Sequence, residues 1–331
     1  MSVLLIAEIG VNHNGSLEQA IQLVDSAVDA GADVVKFQSF KAERLAVPAA
    51  DKATYQKTAT GQNQLELLKS LELSESDHHQ LLTHCNYKQV EFLSTGFDEF
   101  TLDFLVELGI QRIKIPSGEI TNLPYLRHAG ALGLPVLLST GMANLGEIEA
   151  ALDILESSGT PRDRMTVLHC TTEYPAPVGE VNLRAMESIH KAFSVSVGYS
   201  DHTLGSEVAI AAVAMGAVVI EKHITLDRLL PGPDHAASME PDDFAQMVKS
   251  IRAVESALGD GIKRPGKSER ENISIVRKSL VASMAISKGD LFSAANITAK
   301  RPGTGVSPML WDSVVGRRAP RDYEPDELIE W

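Results

Sequence analysis

The stretch EKHITL (221–226) sets Glu221 and His223 two residues apart where the apolar run AVVI (217–220) ends. In an extended strand alternate side chains share a face, so these two ionisable groups project together and Lys222 the other way. A similar ending recurs along the chain. If the last strand positions and the residues just after them converge, they collect Glu8, Lys36, Gln38, Ser94, Thr95, Lys114, Ser117, Glu119, Ser139, Thr172, Tyr174, Ser200, His202 and His223. Two lysines with several hydroxyls suit a phosphate and a carboxylate. Two histidines suit a borderline divalent metal, and the carboxylates offer acid, base or sugar-hydroxyl binding.

Each element also has a plain structural reading. A lone histidine at a strand end is more often hydrogen-bonded than metal-bound. Two on consecutive strands, His202 and His223, put a metal site on an equal footing. PSGE (116–119) reads equally as a turn before a helix or as an anion pocket with Lys114 and a helix amino terminus. NHNG (12–15) is a turn signal, which leaves Asn12 and His13 weak site candidates. His78, His79 and His84 lie in a polar, helix-like segment and read as ordinary helix residues.

Something must bring those strand ends together. Short β-branched runs occur at VLLIAE (3–8), DVVKFQ (33–38), VEFLST (90–95), QRIKIP (111–116), PVLLST (135–140), MTVLHCT (165–171), SVSVGYS (194–200) and AVVIEKH (217–223). Amphipathic patterns lie between them. SLEQAIQLVDSAVDAGA (16–32) opens on a serine cap with Gln19 in the capping-box position and closes on glycine; GEIEAALDILESSG (146–159) is another such pattern. Strands alternating with helices imply parallel pairing. Eight such units predict a (β/α)8 TIM barrel, whose usual length is about 250 residues. A doubly wound open sheet is the competitor, but no GxGxxG follows the first run. In a barrel the carboxyl ends of the strands form the active face, which is why the run AVVI should pass into the polar residues that open EKHITL.

Composition narrows the partners. The chain has 331 residues, 44% of them hydrophobic, enough for one large domain and a small one. A net charge of −14 argues against a nucleic-acid partner, so an anionic substrate needs a local basic pocket. No apolar run approaches the roughly 18 residues that span a bilayer, and MSVLLIAEIG has no basic leader. Cys85 and Cys170 have no framework spacing and read as core residues. The expectation is a cytoplasmic protein with no membrane partner.

Taken together, AEIGVNHNG (7–15), VVKFQ (34–38), KIPSGE (114–119), LSTGM (138–142), HCTTEYP (169–175), GYSDHT (198–203), EKHITLD (221–227), PGPDH (231–235) and KRPGTG (300–305) resemble the sialic acid synthase family. The resemblance covers essentially the whole chain, with motifs in order on all but one of the predicted strand ends. KFQSFKAE, SLELS, PSGEITNLPYL, GMANLGEIEAAL and HCTTEYPAP look closest to its N,N′-diacetyllegionaminate branch. The N-acetylneuraminate branch more often has KHQ in place of Lys36-Phe37-Gln38 and Asn in place of Thr172.

The resemblance implies a condensation of phosphoenolpyruvate with an open-chain acetamido mannose-type sugar, 2,4-diacetamido-2,4,6-trideoxymannose, releasing phosphate. It implies a divalent metal, Mn2+ or Mg2+, between His202 and His223. Lys36, Lys114, Ser117, Ser139, Thr172 and Ser200 would line the phosphoenolpyruvate pocket. Gln38, Glu8, Tyr174 and Asp234 would face the sugar, with Glu8 and Glu119 in catalytic roles. The competing functions are an N-acetylneuraminate synthase using N-acetylmannosamine, a metal-dependent hydrolase, and a non-catalytic sugar-binding barrel. A hydrolase would prefer a denser ligand set, and a binding barrel has no need of the lysines.

On sequence the barrel occupies 1–260. GDGIKRPGKSEREN (259–272) is Gly- and charge-rich, so 261–278 reads as a linker. Residues 279–331 alternate short strand-like pieces with turns, and by resemblance form an antifreeze-like (SAF) domain. Spacing alone makes Arg301 a solvated loop residue. The resemblance instead implies a homodimer with exchanged SAF domains, Arg301 reaching the partner's sugar site.

Overall fold

Each strand run is apolar on both faces until its last residues, and the fold uses both faces. In a computed structural model describing residues 2–47, 50 and 63–330, eight strands form a closed barrel. They are β1 (Leu4–Gly10), β2 (Val34–Ser39), β3 (Glu91–Gly96), β4 (Ile113–Ile115), β5 (Val136–Ser139), β6 (Met165–Cys170), β7 (Ser196–Asp201) and β8 (Val219–His223). All neighbours are parallel and β8 closes on β1, with Glu8 opposite His223. The expected TIM barrel is the fold of this unit.

The interior is layered by strand periodicity. Ile6, Val34, Leu93, Leu137, Leu168 and Val219 form one apolar cluster. Two positions further along their strands stand Glu8, Lys36, Thr95, Ser139, Cys170 and Glu221, on the same face, so an apolar plug carries a largely polar layer above it. Outward-facing residues such as Leu5, Ala7, Val35 and Leu138 pack into the larger core with the helices.

Gly198 lets β7 close against its neighbours. A Cβ there would lie 2.6 Å from Leu168 Cδ2 and 2.7 Å from the Val219 carbonyl oxygen. The backbone oxygen cannot swing away. Gly198→Ala is therefore expected to destabilise the barrel by about 1–3 kcal/mol; an unchanged melting temperature would contradict this close approach.

Helix starts follow the sequence signals with one difference. Ser16 caps the helix Leu17–Asp29 by accepting from the Gln19 amide (3.3 Å). The Gln19 side chain, however, donates to the Asn12 carbonyl (3.1 Å) and so braces the β1 loop.

The chain divides at Gly259/Asp260 into two compact units. The second has an antiparallel pair, β9 (Ser279–Ala282) with β10 (Ile297–Lys300), over its own core around Leu280, Phe292, Ile297 and Tyr323. Residues 261–278, expected as a linker, contain the helix Lys267–Val276, which belongs to this second unit. Glu269 accepts from the Gly266 amide at its start, and Ser274 O accepts from the Gly303 amide (2.7 Å). No side chain of that helix is buried.

Candidate active site

The carboxyl ends of the barrel strands surround a cleft of ≈490 Å³. Its floor is an ionic network built from four strands. Lys36 Nζ (β2) lies 2.7 Å from Glu8 Oε2 (β1), donates to Thr95 Oγ1 (3.0 Å), and is 3.8 Å from Glu221 Oε2 (β8). Lys114 Nζ (β4) donates to Glu221 Oε1 (3.0 Å), which also accepts from Ser200 Oγ (3.0 Å). Gln38 Nε2 donates to Glu8 Oε1 (3.1 Å). The two lysines and two glutamates are all buried, so the floor is neutral overall while keeping two cations beside the cleft.

Burial works to raise Glu221, but Lys114 and Lys36 outweigh it and hold the carboxyl down at about 2. Burial raises Glu8 despite Lys36. Lys114 is lowered by burial, which Glu221 only partly offsets.

Beside this floor stand the two imidazoles, ring centroids 5.6 Å apart. His202 Nδ1 donates to the Thr171 carbonyl (2.6 Å), which leaves the ligand lone pair on Nε2, 3.5 Å from a Ser200 Oγ that donates to Glu221. Burial pushes His202 down to about 4, and burial together with His202 holds His223 well below its usual value. Both are neutral at neutral pH. His223 Nδ1 is buried without a hydrogen-bond partner, 4.0 Å from Asp234 Oδ2. Burial, with Glu8 adding, raises Asp234 to about 7. The Tyr174 ring lies against His202 at 4.1 Å between centroids and meets His223 edge-on at 5.6 Å.

Two neutral imidazoles, one held by a backbone carbonyl and one with an orphaned buried nitrogen, form a donor set that fits a divalent ion. Among the described residues no group of three or more His, Cys, Asp and Glu is arranged to hold a metal. Such an ion would take its remaining ligands from water or substrate.

The NeuB family model matches residues 23–263 and the SAF domain model residues 277–331. The chain belongs to the NeuB family. It is 53% identical to the N,N′-diacetyllegionaminic acid synthase of Campylobacter jejuni over 98% of each chain. To the enzyme of the same name from Legionella pneumophila it is 46% identical over 100% of this chain and 94% of that one. Among solved structures, an N-acetylneuraminic acid synthetase from Leptospira borgpetersenii matches with a TM-score of 0.73 and 35% identity, covering 82% of this chain and 90% of that one.

In this NeuB chain the sequence-derived residues separate clearly. Glu8, Lys36, Gln38, Thr95, Lys114, Ser117, Glu119, Ser139, Thr172, Tyr174, Ser200, His202, His223 and Asp234 all line the one cleft. Ser117 Oγ accepts from the Gly141 amide (3.0 Å), and Ser139 Oγ is buried without a partner. Glu119 is half-buried on the 3-10 turn Ser117–Glu119, where it accepts from Asn122 Nδ2 (2.6 Å). The helix expected just after PSGE starts only at Leu123, capped by Asn122, so its amino terminus is one turn removed from Ser117.

Ser94 belongs elsewhere. Its hydroxyl is 2.6 Å from Ser39 Oγ, which reaches His78 Nε2 (2.6 Å) on the outer side of the barrel. His78 is thus a buried structural histidine. Asn12 donates to Ile224 O and Ser238 Oγ, and His13 Nδ1 accepts from the Gly15 amide, both as loop braces. Lys222 does point the other way, onto Asp201 (2.7 Å) and Thr203 O (2.6 Å). Cys170, expected in the core, is buried but lines the cleft 3.3 Å from Ser117 Oγ. Arg301 lies in the second unit, exposed, its Nε donating to Val276 O (3.0 Å).

Glu221 is the charged cleft residue to which sequence reasoning gave no role. Its signal was the shared face with His223. The second omission is an apolar wall described below.

Proposed function

We propose that this chain condenses phosphoenolpyruvate with 2,4-diacetamido-2,4,6-trideoxymannose to give N,N′-diacetyllegionaminate and inorganic phosphate. The observation that carries this reading is the buried pair Lys36 and Lys114 with Ser117, Ser139 and Ser200, lining one cleft together with two neutral imidazoles. The identity to two legionaminic acid synthases over nearly the whole chain supports the same reaction.

The lysines and hydroxyls bind the phosphate and carboxylate of phosphoenolpyruvate. Its carbon 3 attacks the sugar aldehyde, forming the new C–C bond while the aldehyde oxygen gains a proton. Water adds at carbon 2, and phosphate leaves with its bridging oxygen, so one water is consumed for each phosphate released. Glu119, on the cleft wall, would orient that water, and Gln38, Tyr174 and Asp234 would hold the sugar. His202 and His223 would hold Mn2+ or Mg2+, which supplies Lewis acidity toward the aldehyde oxygen. The homodimer, the reach of Arg301 to a partner's sugar and the cytoplasmic setting are part of this proposal. Mixed dimers of Arg301→Ala and Glu119→Gln chains, regaining roughly a quarter of wild-type activity if the arginine acts in trans, test the first two.

Phosphate release with each substrate alone, with both, and with N-acetylmannosamine in place of the diacetamido sugar tests the reaction. Release only when phosphoenolpyruvate and the diacetamido sugar are both present is expected. Faster turnover of N-acetylmannosamine would assign the chain to neuraminate synthesis, and release from either substrate alone would point to hydrolysis.

Lys114→Ala separates the two halves of the cleft. Losing a charged donor to the anion costs about 1.5–3 kcal/mol, so the KM for phosphoenolpyruvate should rise roughly 10- to 100-fold and that for the sugar far less. Equal rises in both would refute the division.

A further inference from the structure

The cleft has two unlike sides. On the β4 to β7 side Lys114, Ser117, Ser139 and Ser200 converge. On the other side, Val11, Phe40, Leu67 and Leu71 form a separate buried apolar cluster, with half-buried Leu45, Leu68 and Phe97 packed against it. All seven line the cleft. They come from the loops after β1, β2 and β3 and from the helix Gln64–Leu71, so the wall stands above the ionic floor.

Hydrogen bonds and a ring contact tie the parts of this wall to one another. Asn63 caps the helix by accepting from the Glu66 amide (2.9 Å), and Glu72 at its end accepts from the Ala42 amide (2.7 Å), which begins the short helix bearing Leu45. Phe40 and Phe97 meet edge to face at 5.9 Å. Gln64, on the same helix, is the wall's polar neighbour.

We propose that Leu45, Leu68 and Phe97 receive the methyl group at carbon 6 of the sugar and select 6-deoxy over 6-hydroxy substrates. This rests on the synthase reading above. Carbon 1 must lie at the floor, beside the imidazoles and the bound phosphoenolpyruvate, and the 2-acetamido group hangs next to it. The open chain then runs outward, and carbon 6 is its far end. A methyl there buries against leucine and phenylalanine, whereas a hydroxyl loses water and meets no acceptor from those three side chains. An apolar site rejects an added hydroxyl by about 10²-fold, which sets the size of the effect.

The test compares kcat/KM for 2,4-diacetamido-2,4,6-trideoxymannose with that for 2,4-diacetamido-2,4-dideoxymannose, identical except for the 6-hydroxyl. Wild type should favour the deoxy sugar by about 10²-fold, and Leu68→Gln and Leu45→Gln should each reduce that ratio about tenfold. Glutamine keeps the helix propensity of position 68. Because both sugars are turned over by the same protein, any loss of folded enzyme lowers both numerators alike and cancels in the ratio. Equal efficiency on the two sugars in wild type, or an unchanged ratio in both variants, overturns this inference and leaves the synthase reading standing. Phosphate release with neither sugar overturns both.

Discussion

His202→Ala and His223→Ala are each expected to abolish phosphate release while leaving the barrel folded. Both rings are neutral where the protein works, because burial keeps them from taking a proton. Removing either therefore unpairs no charge. The folding cost at His202 is its hydrogen bond to Thr171 O, about 1 kcal/mol, with a long contact to Ser200 Oγ (3.5 Å) and its packing on Tyr174. Native domains have about 5–15 kcal/mol in hand. The catalytic cost is of another order. Losing a preorganised group that stabilises developing charge costs at least about 10²–10³-fold, and here the loss of one imidazole halves the protein's donor set. Exhaustive chelation should give the same loss without substitution, reversed by Mn2+ or Mg2+. Circular dichroism and thermal melting with the activity assay decide the matter. An enzyme fully active after chelation, or a His202→Ala variant with wild-type turnover, would remove these residues from the metal and catalytic roles.

Those two histidines were legible because two independent regularities coincide on them. Strand alternation places them on the inner face, and the barrel's geometry puts strand ends at one surface. The same pair of rules found Glu8, Lys36, Lys114 and Ser139. The rules fail where only one applies. Ser94 ends a strand, but it faces outward to Ser39 while its neighbour Thr95 faces in. The β4 run looked like 111–116 yet pairs only over Ile113–Ile115. The helix Gln64–Leu71 is amphipathic, and nothing in its spacing says that its apolar face looks partly into the cleft rather than wholly into a core. The helix Lys267–Val276 has no buried face at all, so its charges and glycine flank read as linker. Glu221 was missed for a subtler reason. Alternation put it beside His223, but a carboxylate earns its role from its partners, and Lys114 and Ser200 arrive from other strands.

Those partners make Glu221→Gln the substitution with the largest expected effect on stability. One carboxylate serves Lys114 (3.0 Å), Ser200 (3.0 Å) and, at 3.8 Å, Lys36, and all are buried. Glutamine keeps the shape and one accepting oxygen but removes the charge. Lys36 retains Glu8 at 2.7 Å, whereas Lys114 is left without a counter-ion. Unpairing a buried charge costs about 3–5 kcal/mol, or roughly 6–20 °C in melting temperature for a unit of this size. Glu119→Gln gives the contrast. Half-exposed and bonded to Asn122 alone, it should shift stability by no more than about 0.5 kcal/mol and chiefly lower turnover. Phosphoenolpyruvate adds a second readout. With Glu221 neutralised, the floor carries one uncompensated positive charge, which the anionic ligand can offset, so saturating ligand should raise the melting temperature of Glu221→Gln by more than that of wild type. The decisive measurement is a melt of each protein with and without phosphoenolpyruvate. A Glu221→Gln protein that melts with wild type in the absence of ligand would show that the pair adds nothing net. One that melts low but gains no extra protection from the ligand would place the phosphoenolpyruvate charge away from Lys114.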